Sequence, residues 1–393
     1  MASKDLQTAK DNKKNEFYTQ YVDIEKELVN YKEQFKDKIV YCNCDDPKWS
    51  NFTKFFLNNF KYFELKKLIC THFEKNKPSY KLVVIRDENG DGVIDEQDVL
   101  QTPLKQNKSQ QIGFWDNPVV AEYSGDFRSD ECIELLKESD IVVTNPPFSL
   151  FREYVSQLIE YNKNFIIIGN VNAISYKEMF KFIKEGKIWL GASIHSGDRE
   201  FKVPDDYPLN AASSRIDEHG NKYIRVKGVR WFTNLDYKQR HELLPMLSKQ
   251  QNERKGIIYY DYENFHAINV DETKNIPYDY DGYIGVPITF LDKWSPEQFE
   301  IVALGIVGSI NFTNEIKMEI LKDGCPTGKY TKNAKGTLYR KFDYSQPVSK
   351  KNNKAFRNCE TNALYSSIYA RIIIKHKLQY DDYGNLKGDK YGN

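Results

Sequence analysis

Short apolar runs alternate with segments of helical spacing through the first half of the chain. The apolar runs are rich in β-branched residues and predict buried strands at residues 38–44, 65–73, 82–85, 121–124, 141–144 and 165–169. Apolar residues three and four positions apart predict helices at residues 21–28, 52–60, 130–138, 150–161 and 176–185. Because strand and helix alternate, we predict an α/β fold with a doubly wound, mostly parallel sheet.

The pattern changes after about residue 187, where the segments become shorter and richer in aromatic and turn residues. Strand character is found at residues 223–232, 282–290 and 369–374. A chain of 393 residues is long enough for two domains. We predict a larger domain at residues 1–250, with residues 1–14 disordered, and a smaller mixed α/β region at residues 251–393.

Charge is balanced over the whole chain but not along it. Lys and Arg number 57 and Asp and Glu 56, so the chain has no overall basic signature for nucleic acid. Residues 321–360, in contrast, carry ten Lys or Arg against three Asp or Glu, a local net charge of +7, with aromatics interleaved. This segment is either a solvated loop or a phosphate-contacting surface, with Lys350, Lys351 and Lys354 as candidate contacts.

The six cysteines form no CxxC pair and no spacing typical of zinc ligands, and the six histidines are scattered. We therefore expect reduced thiols and no histidine-based metal site. No signal peptide or long apolar span is evident at a mean hydropathy of −0.67. We expect a cytoplasmic protein, with no membrane partner.

The segment Asn145-Pro146-Pro147-Phe148 follows the predicted strand at 141–144 and precedes a predicted helix. It therefore lies on a turn at the carboxyl edge of the sheet, where open α/β sheets bind ligands. Two prolines fix the backbone and donate no N–H, which leaves the Asn145 side-chain oxygen and the Pro146 carbonyl as acceptors. These acceptors, beside the aromatic face of Phe148, suit a planar ring that carries an amino group. The alternative is a proline-stiffened loop with a buried phenylalanine.

This tetrapeptide resembles the catalytic motif of amino-group DNA methyltransferases that use S-adenosylmethionine. Asp46-Pro47-x-x-Ser50-Asn51 resembles their cofactor loop, although no glycine occurs between Asp45 and Asn58. Phe17-Tyr18-Thr19-Gln20 resembles the segment that packs over the methionine end of the cofactor, and Gly125-Asp126-Phe127 the turn that holds its adenine. The alternative for Asp46-Pro47 is a helix start. For residues 17–20 it is aromatic packing, and for residues 125–127 an ordinary turn.

The order of these segments, with others at residues 227–235, 276–299 and 369–374, resembles the EcoRI-type family of adenine-specific DNA methyltransferases. The resemblance covers most of residues 10–375 and implies a Rossmann-like methyltransferase fold. It also implies cofactor contacts from the residues named above and from Asp45, and Trp231 in the target-base pocket unless Trp231 is simply core. The residue that holds the cofactor ribose is left open among Thr71, His72 and Glu74.

Residues 87–98 have the ligand spacing of a calcium loop, except that an aspartate stands at the position of the usual last glutamate. The side chains at the ligand positions are Asp87, Asn89, Asp91, Asp95 and Asp98. The alternative is an acidic turn between strands, and methyl transfer itself needs no metal.

The resemblance implies site-specific methylation of a flipped adenine in double-stranded DNA, in a restriction-modification or epigenetic context. We expect a monomer of bacterial or phage origin, with a cognate restriction endonuclease as a functional counterpart but not a stable complex. Two other readings stay open: a methyltransferase acting on RNA or on a protein glutamine amide, and a non-catalytic DNA- or calcium-binding module on a decayed methyltransferase fold.

Overall fold

The computed structural model describes residues 18–44, 46–73, 79–86, 90–91, 94–104, 111–112, 119–120, 125–203, 207, 209, 214–306, 316–331, 336–341, 354–368, 370–381 and 384–387. Contacts within the chain divide it into two compact units. Unit 1 comprises residues 1–173 and 187–238, and unit 2 comprises residues 174–186 and 239–393. The division near residue 238 lies close to the predicted boundary at 250. Residues 174–186 and 239–250 of unit 2 were not assigned to the second region by the sequence.

Unit 1 contains five α-helices among its described residues: α1 (Tyr21–Leu28), α2 (Lys32–Phe35), α3 (Asn51–Asn58), α4 (Asp130–Glu138) and α5 (Phe151–Glu160). Its strands are β1 (Ile39–Cys42), β2 (Lys67–Thr71), β3 (Tyr80–Val84), β4 (Leu100–Pro103), β5 (Gln111–Ile112), β6 (Val119–Val120), β7 (Ile141–Thr144), β8 (Asn164–Asn170), β9 (Trp189–Leu190), β10 (Asp198–Val203), β11 (Ser214–Ile216), β12 (Lys222–Lys227) and β13 (Val229–Thr233). The strand predicted at 121–124 lies outside the described residues.

The main sheet of unit 1 has eight strands in the order β4-β3-β2-β1-β7-β8-β13-β9. Its middle is parallel, because β1 pairs in parallel with β2 and β7, and β7 with β8. Both sides are antiparallel, through β2–β3–β4 on one side and β8–β13–β9 on the other. The sheet is therefore mixed, and the prediction of a mostly parallel sheet was wrong at its edges. The segment from β2 to β3 is too short for a parallel crossover, which usually takes a dozen residues or more.

The starts of α3 and α4 agree with local sequence chemistry. The Ser50 side chain accepts a hydrogen bond from the backbone N–H of Phe52 and caps α3. Ser129 caps α4 in the same way, and Asp130 and Glu131 occupy its first turn, where carboxylates oppose the positive end of the helix dipole. These caps fix where each helix leaves the loop that precedes it.

One face of the sheet is covered by aromatic side chains of α2, α3 and the turn that follows α3. Phe35, Phe55, Phe56 and Phe63 are all almost fully buried and meet at ring-centroid distances of 5.2–6.2 Å. Aromatic contacts of this kind add to the free energy gained by apolar burial. They hold α3, and with it the loop after β1, against the sheet.

Glu27 of α1 is completely buried, which is unusual for a carboxylate. Its oxygens accept hydrogen bonds from the Tyr31 hydroxyl at 2.7 Å, from the backbone N–H groups of Ala192 and Ser193 at 2.8 Å each, and from the Ser193 hydroxyl. Burial raises the pKa of Glu27 despite these four donors. The carboxylate thus ties α1 to the segment after β9.

Unit 2 is built mostly of strands. Its helices are α6 (Lys177–Lys184) and α7 (Lys249–Arg254), and its strands are β14 (Tyr260–Asp261), β15 (Ala267–Asn269), β16 (Tyr283–Pro287), β17 (Phe299–Gly305), β18 (Met318–Lys322), β19 (Cys325–Tyr330), β20 (Leu338–Lys341), β21 (Lys354–Asn358), β22 (Leu364–Ile368) and β23 (Arg371–His376). They form two five-stranded sheets, β14-β15-β16-β23-β17 and β19-β18-β21-β22-β20. The described part of the +7 segment lies largely on the second sheet. Among the described helices of both units, none is long and apolar enough to cross a bilayer.

Candidate active site

The Asn145 turn lies where the sequence predicts it. β7 ends at Thr144, Asn145 follows with 6% of its surface exposed, Pro146 is buried, and Phe148 begins a short 3-10 helix that leads into α5. The backbone is therefore fixed on both sides, by a central parallel strand and by a helix. An acceptor held in this way loses little entropy when it engages a ligand.

The loop after β1 lies beside this turn. β1 and β7 are hydrogen-bonded in parallel, with Val40 opposite Ile141 and Tyr41 opposite Val142, so both loops leave the same edge of the sheet. The chain continues from β1 to β2 on one side, while β7 lies on the other. Such a reversal of strand order opens a crevice that binds ligands in many α/β proteins. The predicted catalytic turn and the predicted cofactor loop are thus neighbours.

Tyr154 of α5 connects the predicted loops. Its hydroxyl donates a hydrogen bond to the side-chain oxygen of Asn43, directly after β1, and both residues are buried. Burial raises the pKa of Tyr154 well above its usual range, so the phenol stays protonated and donates. The edge of its ring meets Phe127, with centroids 5.0 Å apart. Neither Tyr154 nor Asn43 was predicted as a site residue, although Tyr154 belongs to the apolar helical pattern of the sequence.

Asp126 is held by its neighbour Arg128. One carboxylate oxygen accepts from the backbone N–H of Arg128 at 2.9 Å and from its Nε at 2.8 Å, and the other accepts from Nη2 at 2.7 Å. Arg128 also reaches Glu153 of α5 at 3.4 Å. A carboxylate offers about four lone pairs, so Asp126 Oδ2 has room for one more donor. The role of Asp126 toward the cofactor adenine stays a prediction, and the sequence did not predict Arg128.

The turn that carries Asp126 lies against the end of β2. Gly125 has a φ of +86°, and a Cβ there would come within 2.4 Å of the His72 carbonyl oxygen. Only glycine fits so close an approach with that backbone. Phe127 is buried rather than open, and its carbonyl accepts from Gln157 of α5. The turn is therefore brought to the same edge of the sheet as the loops after β1 and β7.

Asp46 is half-buried, and its Oδ1 is already engaged. It accepts from the Tyr80 hydroxyl at 2.6 Å and from the backbone N–H of Lys48 at 3.0 Å. Burial is the larger cause, and the hydrogen bond to Asp46 the smaller one, that raises the pKa of Tyr80 well above its usual range. Oδ2 lies 3.7 Å from Nε2 of His72, whose ring stacks on Tyr80. Asp45, the other predicted acid, lies outside the described residues.

Thr71, a candidate for the cofactor ribose, lies at the end of β2 and is 1% exposed. Its hydroxyl is 3.0 Å from that of the buried Tyr41 within the sheet. This contact gives Thr71 a structural role and makes it a poor ribose ligand without a change of partner. His72 lies next to Asp46 as described above, and Glu74 lies outside the described residues.

The N-terminal predicted segment is tied to two elements. Tyr18 forms an isolated antiparallel bridge with Lys202 of β10, and the Thr19 carbonyl accepts a hydrogen bond from Asn51 at the start of α3 at 2.7 Å. Thr19 thus lies against the end of the loop after β1, as the predicted cofactor role requires. Phe17 lies outside the described residues, and the cofactor contacts themselves stay predictions.

Trp231 lies in the core of unit 1. It belongs to β13, has no exposed surface, and meets the edge of Phe52 at a centroid distance of 6.1 Å. Its position supports the alternative that the sequence left open, an aromatic strand residue packed in a core. A residue that lines a target-base pocket must be accessible to the base. Trp231 has no exposed surface and is therefore not accessible.

Phe148 is half-buried and leans on a neighbouring sheet. Its ring lies 6.5 Å from that of Phe201 in β10, nearly perpendicular to it. Of the predicted phosphate contacts in unit 2, Lys350 and Lys351 lie outside the described residues, and the Lys354 backbone begins β21.

The candidate calcium loop is only partly described, because Asp87 and Asn89 fall outside the described residues. Asp95 Oδ1 accepts from the backbone N–H of Gln97 at 2.7 Å, and Asp98 Oδ2 accepts from that of Asp95 at 2.9 Å. These two carboxylates form a reciprocal cap on a 3-10 turn at Glu96–Asp98. Asp91 joins no metal-binding cluster, since no group of three potential metal ligands occurs among the described residues. The described part of the loop supports the acidic turn and gives no support to calcium.

Comparison with known proteins confirms the family. The family model described as adenine-specific methyltransferase EcoRI matches residues 5–377. The chain is 49% identical to the Type II methyltransferase M.EcoRI of Escherichia coli, over 76% of this chain and 88% of that protein. It is 38% identical to M.MgeORF184P of Mycoplasma genitalium and to M.MpnI of Mycoplasma pneumoniae, each over 75% of this chain and over 84% and 83% of those relatives. No solved structure matches the chain. The chain therefore belongs to the EcoRI family of adenine-specific methyltransferases.

Proposed function

We propose that the chain methylates the exocyclic amino nitrogen of an adenine that is flipped out of duplex DNA, with Asn145 and Pro146 as the groups that engage this nitrogen. The family is adenine-specific and uses S-adenosylmethionine as methyl donor. The observation that carries the residue assignment is the position of Asn145. It stands at the end of a central parallel strand, beside the loop after β1, where the order of the strands reverses.

The base must leave the stack, because its amino nitrogen cannot reach a methyl donor inside a duplex. The Asn145 side-chain oxygen and the Pro146 carbonyl accept the two amino hydrogens. This draws the nitrogen lone pair out of conjugation with the ring and makes it a better nucleophile. Phe148 stacks on the flipped base. Most of the rate enhancement then comes from acceptors that are already in place and from alignment of the reacting atoms.

The residues at this edge of the sheet fit the cofactor. Thr19 and Thr144 are buried, and their hydroxyls have no hydrogen-bond partner among the described residues. A buried polar group without a partner is costly, so a polar ligand beside them would stabilise the protein. Asp46 and Asp126 each keep acceptor capacity on Oδ2 for the cationic amino group and the adenine amino group, respectively. S-adenosylmethionine, when bound there, supplies an electrophilic methyl group on a sulfonium.

The remaining cofactor contacts are assigned to the segments that the structure ties to this edge. Phe17, Tyr18 and Thr19 would cover the methionine end, and Asp45 would assist Asp46. Phe127, which is buried against Tyr154, would contact the adenine ring with its edge at most. The ribose contact falls to His72 in preference to Thr71, because the Thr71 hydroxyl already pairs with Tyr41.

Unit 2 is proposed to recognise the target sequence. Its support is the +7 charge of residues 321–360, on a chain whose net charge is only +1 overall. Since the relatives are named Type II methyltransferases, we propose that this chain modifies a restriction site. In that setting it acts as a monomer in the cytoplasm, and a cognate endonuclease shares its site without forming a stable complex.

Transfer of labelled methyl from S-adenosylmethionine to duplex DNA, RNA and protein tests this proposal. We expect label in duplex DNA alone, and sequencing of modified adenines from expressing cells should reveal one short site. Label in RNA or in a glutamine amide would replace the proposed substrate. Absence of transfer with intact DNA binding would favour a non-catalytic module on a decayed methyltransferase fold.

A further inference from the structure

An open pocket of about 460 Å³ lies in unit 1, and of the described residues assigned to the cofactor above it is lined by Tyr18 alone. It is bounded by the N-terminal segment, the start of α3, the edge of β10 and a tyrosine of β12. The lining residues that matter for its chemistry are Tyr18, Trp49, Asn51, Lys54, Lys202 and Tyr223. Pockets of this volume take small organic groups of the size of a nucleotide.

The pocket is positively charged. Lys54 and Lys202 both line it, and no described carboxylate does. Neither lysine forms a salt bridge with any described residue, in contrast to Lys36 with Glu64 and Lys67 with Glu138 elsewhere in unit 1. Two ammonium groups at one pocket without a carboxylate between them repel each other. This arrangement favours an anion in the pocket.

The pocket also offers aromatic surface. Trp49 is 63% exposed, more than any other tryptophan, tyrosine or phenylalanine among the described residues. Tyr223 is the second ring, and one of its faces is covered by Arg215, whose guanidinium lies 4.3 Å from the ring centroid. An exposed indole beside two ammonium groups that pair with no described carboxylate suits a ligand that has both a flat ring and a negative charge. Nucleotides combine these two properties.

The pocket is joined to the proposed catalytic site through β10. The ring of Phe201, the residue before Lys202, contacts the ring of Phe148. The backbone of Lys202 is hydrogen-bonded to the backbone of Tyr18. Asn51 of the pocket holds the Thr19 carbonyl. Since Phe201 and Lys202 are adjacent on β10, about 3.3 Å apart along the strand, the proposal takes the nucleotides that adjoin a base at Phe148 to reach this pocket.

We propose that this pocket binds a nucleotide of the DNA strand that flanks the flipped adenine. Lys54 and Lys202 contact its phosphate, and Trp49 stacks on its base or covers its sugar. The proposal rests on the proposed function, since it takes DNA as the substrate. It assigns a second DNA contact to unit 1, separate from the +7 segment of unit 2.

The test measures DNA affinity of Lys54→Ala/Lys202→Ala and of Trp49→Ala over a range of salt concentrations, by fluorescence anisotropy. The probe is a duplex that carries the site found by sequencing modified adenines. The double lysine variant should lower the magnitude of the log–log salt slope by up to about 2. Trp49→Ala should weaken binding by about 10-fold or more, and Trp49→Phe should retain most of the affinity.

Matched controls separate a pocket contact from a general change of charge. Lys26→Ala/Lys32→Ala removes the same charge from α1 and α2 of the same unit, outside the pocket, and should leave the slope near that of the wild type. A series of duplexes with single neutral methylphosphonates gives the position. One substitution beside the target should weaken wild-type binding and have no further effect on the double lysine variant.

Three outcomes overturn the inference. The first is a wild-type salt slope in the double lysine variant while the wild type methylates DNA. The second is a loss of S-adenosylmethionine affinity with unchanged DNA affinity, which would place the pocket in the cofactor site. The third is an equal decrease of the salt slope in the control variant Lys26→Ala/Lys32→Ala. If the wild type itself transfers no methyl to DNA, the proposed function fails instead, so the two failures are distinguishable.

Discussion

The Tyr154 hydroxyl donates its hydrogen bond to Asn43 across 111 residues of sequence, and so joins the helix after the catalytic turn to the end of β1. Tyr154→Phe removes the hydroxyl donor and leaves the buried side-chain oxygen of Asn43 without this hydrogen bond. We expect a loss of about 1–3 kcal/mol in the free energy of unfolding and a raised KM for S-adenosylmethionine. Urea denaturation and steady-state kinetics measure the two effects. Tyr62→Phe, at a half-exposed ring, is the control, and equal behaviour of both variants would show that the bond is inconsequential.

Asn145→Ala should abolish methyl transfer and leave cofactor binding near normal. The substitution removes one of the two acceptors that engage the amino group, which should raise the barrier by several kcal/mol, on the order of what one oxyanion-hole donor supplies. Single-turnover transfer and calorimetric cofactor titration separate the two properties. Substantial activity in a folded Asn145→Ala protein would refute the catalytic assignment.

Phe148→Ala should mainly weaken the handling of the flipped base. Loss of one stacking contact costs roughly 1–3 kcal/mol. Because Phe148 also packs on Phe201, a stability measurement must accompany the kinetics. Phe148→Tyr keeps the aromatic face and should keep most of the activity. If both variants lose activity equally, stacking is not what Phe148 provides.

Asp98→Ala should destabilise the protein equally with and without calcium. In the structure Asp98 caps a turn through the Asp95 backbone, and loss of such a cap costs about 0.5–2 kcal/mol. Thermal unfolding in millimolar calcium and in chelator checks this. A wild-type stability that rises with calcium, and an Asp98→Ala stability that does not, would revive the calcium-loop hypothesis. Calorimetric titration of the wild type and of Asp87→Ala with calcium gives an independent answer.

Replacing Lys350, Lys351 and Lys354 together should lower the magnitude of the salt slope of DNA binding by up to about 2–3. Affinity for all sequences should fall alike, because phosphate contacts position the protein and base contacts specify the sequence. Anisotropy titrations with cognate and non-cognate duplexes measure both quantities. An unchanged slope would show that the segment is a solvated loop and that the DNA contacts lie elsewhere.

The sequence predicts individual elements of unit 1 well, because each strand there carries its own β-branched run and each helix its own period. β7 and α4 occupy the predicted residues, and the bounds of β1, β2, β8 and α5 differ by a few residues at most. Strand direction at the sheet edges was not predicted, because it depends on the length of the connections and on pairing between distant strands. The division of residues 223–232 into β12 and β13 at Gly228, with a φ of +70°, escaped for the same reason.

The same distinction between local pattern and packing applies to the candidate site. The Asn145 turn and its neighbour after β1 could be located, because a strand end followed by a helix places a loop at the carboxyl edge whatever the partners are. The sequence could not decide between the core and the target-base pocket for Trp231. It also could not predict the ion pair of Asp126 with Arg128 or the pairing of Thr71 with Tyr41. Each of these results from packing between segments, which local residue patterns do not specify.

The buried Glu27 also constrains the order in which the chain folds. Two of its partners, Ala192 and Ser193, lie 165 and 166 residues further along the sequence. Until they are in place, the docked carboxylate would be buried with too few donors, which is costly. Since a chain emerges from the ribosome N-terminal end first, α1 cannot dock with all four donors of Glu27 in place until residue 193 has been synthesised. The first described helix of unit 1 therefore depends for its native contacts on a segment 165 residues further along the chain.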